Sequence, residues 1–385
     1  MCGSRKARRS LTLRSRLVPC GAESGMGLQS STMLKTISRR GLFAGALAGA
    51  LTAQTRKVRV GLSGFDGHPE EILRVLPESP WIELAAVADD GSDPVARVQG
   101  LKNPFAAKAT HYDALEDMLA HEKLDVVAVC NNDGRRAGAI RACAARKIDV
   151  IAEKPLALTR ADLDAVYGAV KQSGIRLGML LPMRFDPPYL AMRKIVAAGE
   201  IGEVIEMDSQ KSYQLGARPE WQKHAATYGS TILWIAIHGI DLMLFVSGRR
   251  FTEAASMQAR VGFPEIGDME NVTASIFRMD NGGAASLHMD YLRPESAGGH
   301  GDDRLRIAGS LGVVEYQEST GVTLLKKGAA PWTIRDLPPK GSVFLDFLNG
   351  SRGLTWGEIV AANEATLAAH VAAGSKGWVR IGNGG

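Results

Sequence analysis

The sequence predicts an α/β protein in two parts, and two observations carry that reading. Between Lys57 and Leu181, short apolar runs alternate with helical patterns, and the strand-like runs are apolar throughout, as in a parallel sheet covered by helices on both faces. Beyond Pro182 the pattern changes to longer strand-like runs joined by connections rich in Gly, Asp and Asn. A chain of 385 residues, 45% hydrophobic and 23% charged, is long enough for two domains with cores of their own.

In the first part the expected order is strand Val58 to Leu62, helix Pro69 to Leu76, strand Ile82 to Ala88, helix Tyr112 to Leu119, strand Val126 to Cys130, helix Ala137 to Ala145 and strand Val150 to Ala152. A further helix begins after Thr159, which has Asp162 three residues on and the apolar positions Leu163, Val166, Tyr167 and Val170 beyond it. This is a Rossmann-type pattern.

The first strand ends in Gly64-Phe65-Asp66-Gly67-His68-Pro69, where a dinucleotide fingerprint reads G-x-G-x-x-G. Asp66 replaces the second glycine, and its carboxylate would repel a pyrophosphate unless it turns away. Pro69 is harmless at the first position of a helix, whose N–H has no partner in any case. Gly64 and Gly67 still allow a tight turn, and His68 can donate to a phosphate. Asp89 closes the second strand and can accept both ribose hydroxyls while repelling a 2′-phosphate, which favours NAD over NADP. Asn131, after the next strand, and Glu153 with Lys154, after the one following, complete the candidate cofactor-binding set. An ordinary strand-to-helix turn with a solvated acid is the competing reading of these loops.

The formal charge of +5 is uneven. Up to Ala53 there are nine Lys or Arg and the single acid Glu23, which leaves 37 basic and 40 acidic residues beyond and no basic footprint for nucleic acid. Ser38-Arg39-Arg40-Gly41-Leu42-Phe43 and the short apolar run after it look like a twin-arginine export signal removed near Ala53. Residues 1–53 are thus expected to be a leader and signal peptide, within which Met33 would be a sufficient start for the signal, and the mature protein to be periplasmic or secreted without a stable membrane anchor. Only Cys130 and Cys143 remain in the body, so neither a disulfide framework nor a zinc cluster is indicated.

Glu153-Lys154-Pro155 sits where an open parallel sheet binds its ligands, outside the carboxyl ends of the strands. Later landmarks are Met183-Arg184-Phe185-Asp186-Pro187, Gly199-Glu200-Ile201-Gly202-Glu203, Ile237-His238-Gly239-Ile240-Asp241, and a close from Gly374 to Ile381. In that order and spacing the chain resembles the Gfo/Idh/MocA family of oxidoreductases from Lys57 to its end. The resemblance implies a Rossmann NAD-binding domain over 57–181 and an α/β domain over 182–385 whose large, mostly antiparallel sheet lines the substrate site and often builds homo-oligomers. Strand-like runs Val204 to Tyr213, Arg250 to Val261, Asn271 to Phe277, Gly283 to Met289, Arg304 to Ala308 and Gly312 to Tyr316 agree with it, and Tyr228 to Val246 reads as one long helix.

Family members resembling this chain use the motif lysine with an Asp and a His one helical turn apart. Lys154 and His238 match as catalytic residues, but Trp234 stands in the place of the aspartate. Trp234, His238 and Asp241 share one helical face, and Trp234, Asp241 and Arg184 are the candidate substrate contacts. The expected activity is an NAD(P)-dependent oxidoreductase acting on a sugar, cyclitol or related polyol, with cofactor loaded before export and retained. The alternatives are a redox-neutral NAD-dependent glycosidase and a catalytically silent binding protein of the same fold.

Overall fold

The computed structural model describes residues 56–382, apart from 90 and 376. The twin-arginine segment, its cleavage near Ala53 and Asp90 lie outside the described residues.

Six short strands form the first sheet: β1 Val58–Ser63, β2 Ile82–Ala88, β3 Thr110–Tyr112, β4 Val126–Val129, β5 Asp149–Ala152 and β6 Leu177–Met179. Their order is β3-β2-β1-β4-β5-β6 and every pair is parallel. The strand order therefore reverses between β1 and β4, which opens a crevice at their carboxyl ends. The strands are apolar throughout because helices cover both faces: Val60, Leu62, Val127, Val129 and Ile151 are fully buried, each such side chain contributing roughly 1.5–3 kcal/mol. Thr159 caps the helix Arg160–Ser173 by accepting from the Asp162 N–H at 3.1 Å, the cap its sequence predicts.

The first helix is shorter than expected. It covers only Glu70–Leu73 and gives way to a single 3-10 turn, Leu76–Glu78, because Pro77 cannot continue an α-helix. The helices Pro94–Gly100 and Pro104–Lys108, and the edge strand β3, carry no period in the sequence. The two helices are set by local caps, with Asp93 and Asn103 accepting from the first-turn N–H groups and Pro next in each case.

Nine strands form the second sheet: β7 Val204–Tyr213, β8 Phe251–Ala259, β9 Val272–Met279, β10 Ala284–Asp290, β11 Gly301–Gly309, β12 Gly312–Gln317, β13 Gly321–Lys326, β14 Trp332–Ile334 and β15 Val379–Arg380. The order is β14-β13-β12-β11-β7-β10-β9-β8-β15, antiparallel except where β7 meets β10. One face buries Met207, Phe277, Leu287 and Ile307 against Ile240, Met243 and Phe245 of the helix Ile237–Ser247 and against the helix Trp356–Ala373. That last helix and the preceding one, Val343–Leu348, return to the first core through Phe344, Phe347, Ile359 and Leu367.

The stretch expected as one helix from Tyr228 is broken. A short turn, Ala225–Tyr228, stops at Gly229 with φ +75°, a conformation that a side chain resists. The chain then passes through a π-helical segment, Ile232–Ala236, before the α-helix Ile237–Ser247. The run Ala225–Ser247 is long and apolar enough to cross a membrane, yet 89% of its most apolar window is buried within the protein.

Candidate active site

Arg136 organises the carboxyl edge of the first sheet. It lies on the helix Asp133–Ala145, on the same stripe as the buried Ile140, Cys143 and Ala144, and has no exposed surface. Its guanidinium donates to the carbonyls of Lys154 at 2.9 Å, Pro155 at 3.0 Å and Asn131, and to the Asp133 carboxylate at 2.6 Å. One side chain thus ties the end of β4 to the turn after β5, where the Lys154–Pro155 peptide is cis. Sequence reasoning missed Arg136; the signal was a lone arginine at i, i+4, i+7 spacing on an otherwise apolar helical stripe.

Glu153 joins that turn to the glycine loop. Its carboxylate accepts from the His68 N–H at 2.6 Å, from His68 Nδ1 at 2.9 Å and from the Lys154 N–H at 3.2 Å. Burial pushes the Glu153 carboxyl up, but His68, Lys154 and Arg136 together outweigh it and hold the group below its ordinary value. Gly67 (φ +78°) is required here, since a Cβ on it would lie 2.4 Å from Glu153 Cδ. Glu153 is completely buried and engaged with protein groups, so its place is to hold the loop.

Lys154 projects into a cavity of about 620 Å³ between the first sheet and the second, whose lining includes Gly67, His68, Lys154, Trp234 and His238. Lys154 Nζ donates to the Trp234 carbonyl at 2.6 Å and lies 3.4 Å from the centre of the Trp234 ring. Burial lowers its pKa to about 8; Glu153 and Asp133 resist the shift, and Arg136 and Arg218 add to it. His238 is buried, and burial first, then the charges of Lys154, His68 and Lys211, push its pKa well below the usual value, so the ring is neutral. Its Nδ1 has no hydrogen-bond partner, and the His68 ring meets it edge-on with centroids 5.3 Å apart.

Arg184 and Asp241 are placed elsewhere than the sequence suggested. They do not line this cavity but form a buried bidentate pair, with Nε–Oδ2 at 3.2 Å and a second, shorter bond from Nη2 to Oδ1. Arg184 also donates to the Gly353 carbonyl at 2.9 Å, meets Glu358 at 3.1 Å and covers the Phe245 ring. The shared helical face stops at His238: one turn further on, Asp241 turns toward Arg184 in the Pro182–Phe185 turn. The remaining cavity wall, Tyr189, Tyr213, Arg218, Tyr291, His300 and Asp303, comes from the second half. Sheet register and loop packing place these residues, and no linear motif joins them.

A second crevice, of about 540 Å³, opens at the ends of β1, β2 and β4 and is lined by Ser63, Gly64, Ala88, Asn131, Gly134 and Arg135, among others. Gly64 has φ +80°, and a Cβ there would collide with the Cys130 carbonyl at 2.4 Å. Asn131 Oδ1 is buried without a hydrogen-bond partner, an acceptor open to a ligand in this crevice. Asp89 ends β2 with its carboxylate accepting from the Gly91 N–H at 3.0 Å and Arg97 3.6 Å away. These features fit an extended dinucleotide laid across the strand ends. Asp66 has 6% of its surface exposed, and burial, with Asp93 and Asp133 nearby, raises its carboxyl to about 7. Near neutrality it is partly protonated, which softens the repulsion that its position threatens. Among the described residues no group of three or more His, Cys, Asp or Glu side chains is arranged to hold a metal ion.

Comparison with known proteins agrees with this fold. Residues 56–180 match the oxidoreductase family model of the NAD-binding Rossmann fold, and residues 189–315 match the GFO/IDH/MocA C-terminal domain. An uncharacterized oxidoreductase of Bacillus subtilis, YrbE, is 24% identical over 293 residues, covering 74% of this chain and 80% of its own. Myo-inositol 2-dehydrogenase of Thermotoga maritima is 26% identical over 275 residues, covering 70% of this chain and 78% of its own. A solved structure of a Thermotoga maritima protein superposes with a TM-score of 0.78 at 29% identity, over 84% of this chain and all of the other. The two matched regions together span more than half of the sequence, and the chain belongs to the Gfo/Idh/MocA family of oxidoreductases, with an NAD-binding Rossmann domain in its first half.

Proposed function

We propose that the protein oxidises a secondary hydroxyl of a sugar, cyclitol or related polyol with NAD. The observation that carries this reading is the convergence of Lys154 and His238, both shielded from water, on one cavity at the carboxyl edge of the parallel sheet. Alcohol oxidation needs a base for the hydroxyl proton as hydride leaves the same carbon, and bound NAD would accept that hydride. With a pKa of about 8, Lys154 offers an appreciable neutral fraction at neutral pH. The neutral amine keeps one N–H on the Trp234 carbonyl and presents its lone pair to the substrate hydroxyl. Neutral His238 orients that hydroxyl. Asn131, the Gly64–Gly67 turn and Asp89 would hold the dinucleotide, with Asp89 on the ribose hydroxyls.

The reading includes export by the twin-arginine pathway with the cofactor already bound, supported by Arg39-Arg40 and the apolar run after them. It also includes a homo-oligomer formed through the outer face of the second sheet, where Met257 and Ile276 stand exposed. The substitution of Trp234 for an acid favours a second reading, a binding protein that kept the fold without the chemistry. Purified full-length protein decides between them. The oxidoreductase reading expects stoichiometric nicotinamide by absorbance and mass, or NAD binding on titration, and reduction of that nicotinamide by a polyol. Neither retained nor titratable NAD would leave the binding protein. An aryl glycoside cleaved with no net change in bound NAD would point to redox-neutral chemistry.

A further inference from the structure

The loop after β7 brings a guanidinium without a counter-ion to the cavity that holds Lys154. Arg218 lines this cavity with its Cζ 4.3 Å from the centre of the Tyr291 ring. Its two hydrogen bonds are long and go to neutral oxygens, Gln222 Oε1 at 3.3 Å and the Gln214 carbonyl at 3.5 Å. Its Nε is buried with no partner at all. The side chain is partly exposed, so the opening for an anion lies at this buried, unpaired Nε–H and on the cavity side of the guanidinium.

The carboxylates on the same cavity do not supply that anion. Asp303 is held by Lys211 at 3.1 Å and Asp186 by Lys340 at 2.9 Å, while Glu318 is exposed at the rim. Among the described residues Arg218 forms no ion pair. Beside it, Tyr213 and His300 stack with ring centroids 5.2 Å apart at 15°, a wall suited to a ring with hydroxyls. Burial, reinforced by Arg218, lowers the His300 pKa, so His300 adds a neutral hydrogen-bonding group and no second charge.

We propose that Arg218 is a carboxylate-binding residue and that the substrate is a sugar acid, a hexuronate or aldonate, whose carboxylate meets Arg218 while a secondary hydroxyl reaches Lys154. A single planar guanidinium, with Tyr and neutral His around it, matches a carboxylate monoanion. A phosphate dianion calls for several cations or a cluster of backbone N–H groups, and Asp303 and Glu318 on the same wall oppose it. This inference rests on the oxidoreductase reading for the position of the hydroxyl, and on Arg218 alone for the anion.

The test uses full-length protein supplied with NAD and a panel of hexuronates and aldonates, each paired with its neutral hexose or alditol, plus hexose 6-phosphates. Turnover is followed by nicotinamide absorbance and binding separately by calorimetry. The best acid is expected to exceed its neutral partner in kcat/KM by about ten- to hundred-fold, the range of a charge-assisted hydrogen bond. Arg218→Gln should collapse that preference toward unity, mainly through the KM of the acid, and Arg218→Lys should restore part of it. Equal use of acid and neutral partner, preference for the phosphate, or an acid preference that survives Arg218→Gln overturns the inference. If the Gln variant fails to fold, the wild-type discrimination and the Lys variant decide. Turnover of neutral polyols alone sinks the sugar-acid inference and leaves the oxidoreductase reading standing. Calorimetric binding of an acid that depends on Arg218, without any nicotinamide reduction, does the opposite.

Discussion

Lys154 and Trp234 meet twice: the amine donates to the tryptophan carbonyl at 2.6 Å and sits 3.4 Å from the centre of its ring. The family resemblance calls for an aspartate at position 234, and a carboxylate there would hold Lys154 as a charged partner. The tryptophan holds it by a neutral acceptor and by the negative face of a ring, a contact of about 0.5–2 kcal/mol. The lysine keeps its direction without a counter-ion, and burial brings its pKa to about 8. The substitution therefore redistributes the electrostatics of the site while leaving the amine aimed at the cavity.

Lys154→Ala should lower kcat by about 10²- to 10⁴-fold, the usual contribution of a positioned base. Lys154→Arg should fail similarly, since a guanidinium does not release its proton at working pH. The fold of both variants is checked by circular dichroism and by retained NAD binding. Full activity in the Ala variant would move the chemistry to another residue.

The pH dependence follows from the same group. Lys154 is protonated below about pH 8 and neutral above it. Alcohol oxidation, which needs the free amine, should rise as pH increases through about 8 and then level off. Carbonyl reduction, which needs the ammonium proton, should fall over the same window. Opposite slopes in the two directions identify Lys154 as the titrating group, and Lys154→Ala should abolish both. His238 contributes nothing to this window, because its pKa lies well below the ordinary histidine value.

The parallel sheet, its order of elements, Lys154 and His238 were legible in the sequence because each rests on a local signal. Apolar strands, a helix cap at Thr159 and a tripeptide at a strand end are all contiguous in the chain. What was not legible is set by non-local geometry. Arg184 and Asp241 bear charges near the motif, and only the packing of two elements 57 residues apart turns them into a buried pair. The kinked entry to the His238 helix depends on Gly229 adopting positive φ, which a helical period cannot reveal. Tyr213, Arg218 and His300 share a wall through the pairing of β7 with β11, in which Tyr213 lies opposite Gly301, next to His300.

Arg136 tests how far the catalytic lysine depends on its support. Its guanidinium serves three backbone carbonyls, of Asn131, Lys154 and Pro155, besides Asp133, all without access to solvent. Arg136→Met leaves these acceptors and the Asp133 carboxylate unpaired, and a loss of about 3–5 kcal/mol of stability is expected. Arg136→Lys supplies charge but not the fork, so it should recover part of the stability and less of kcat. Denaturant unfolding measures the first quantity and saturating turnover the second. A Met variant of wild-type stability would show that this buried hub is dispensable.

Asp66 makes the affinity for NAD depend on pH in a direction that can be worked out. Burial first, then Asp93 and Asp133, raise its carboxyl from 3.8 to about 7, so the folded protein binds a proton here between those values that the unfolded chain has released. This group's contribution to stability is therefore present at low pH and is lost as pH rises through about 7. The same ionisation places a negative charge at the second-glycine position of the phosphate turn. NAD should bind more tightly at pH 6 than at pH 8, and a bound pyrophosphate that raises the Asp66 pKa by one unit would produce a change of about fivefold between those two values. Asp66→Asn keeps the size and the hydrogen-bonding capacity without the charge. It should flatten the pH dependence and give, at pH 8, at least the affinity the natural protein shows at pH 6. Titration of NAD by intrinsic fluorescence at both pH values checks this. A pH dependence unchanged in the Asn variant would mean that Asp66 turns its carboxyl away from the pyrophosphate.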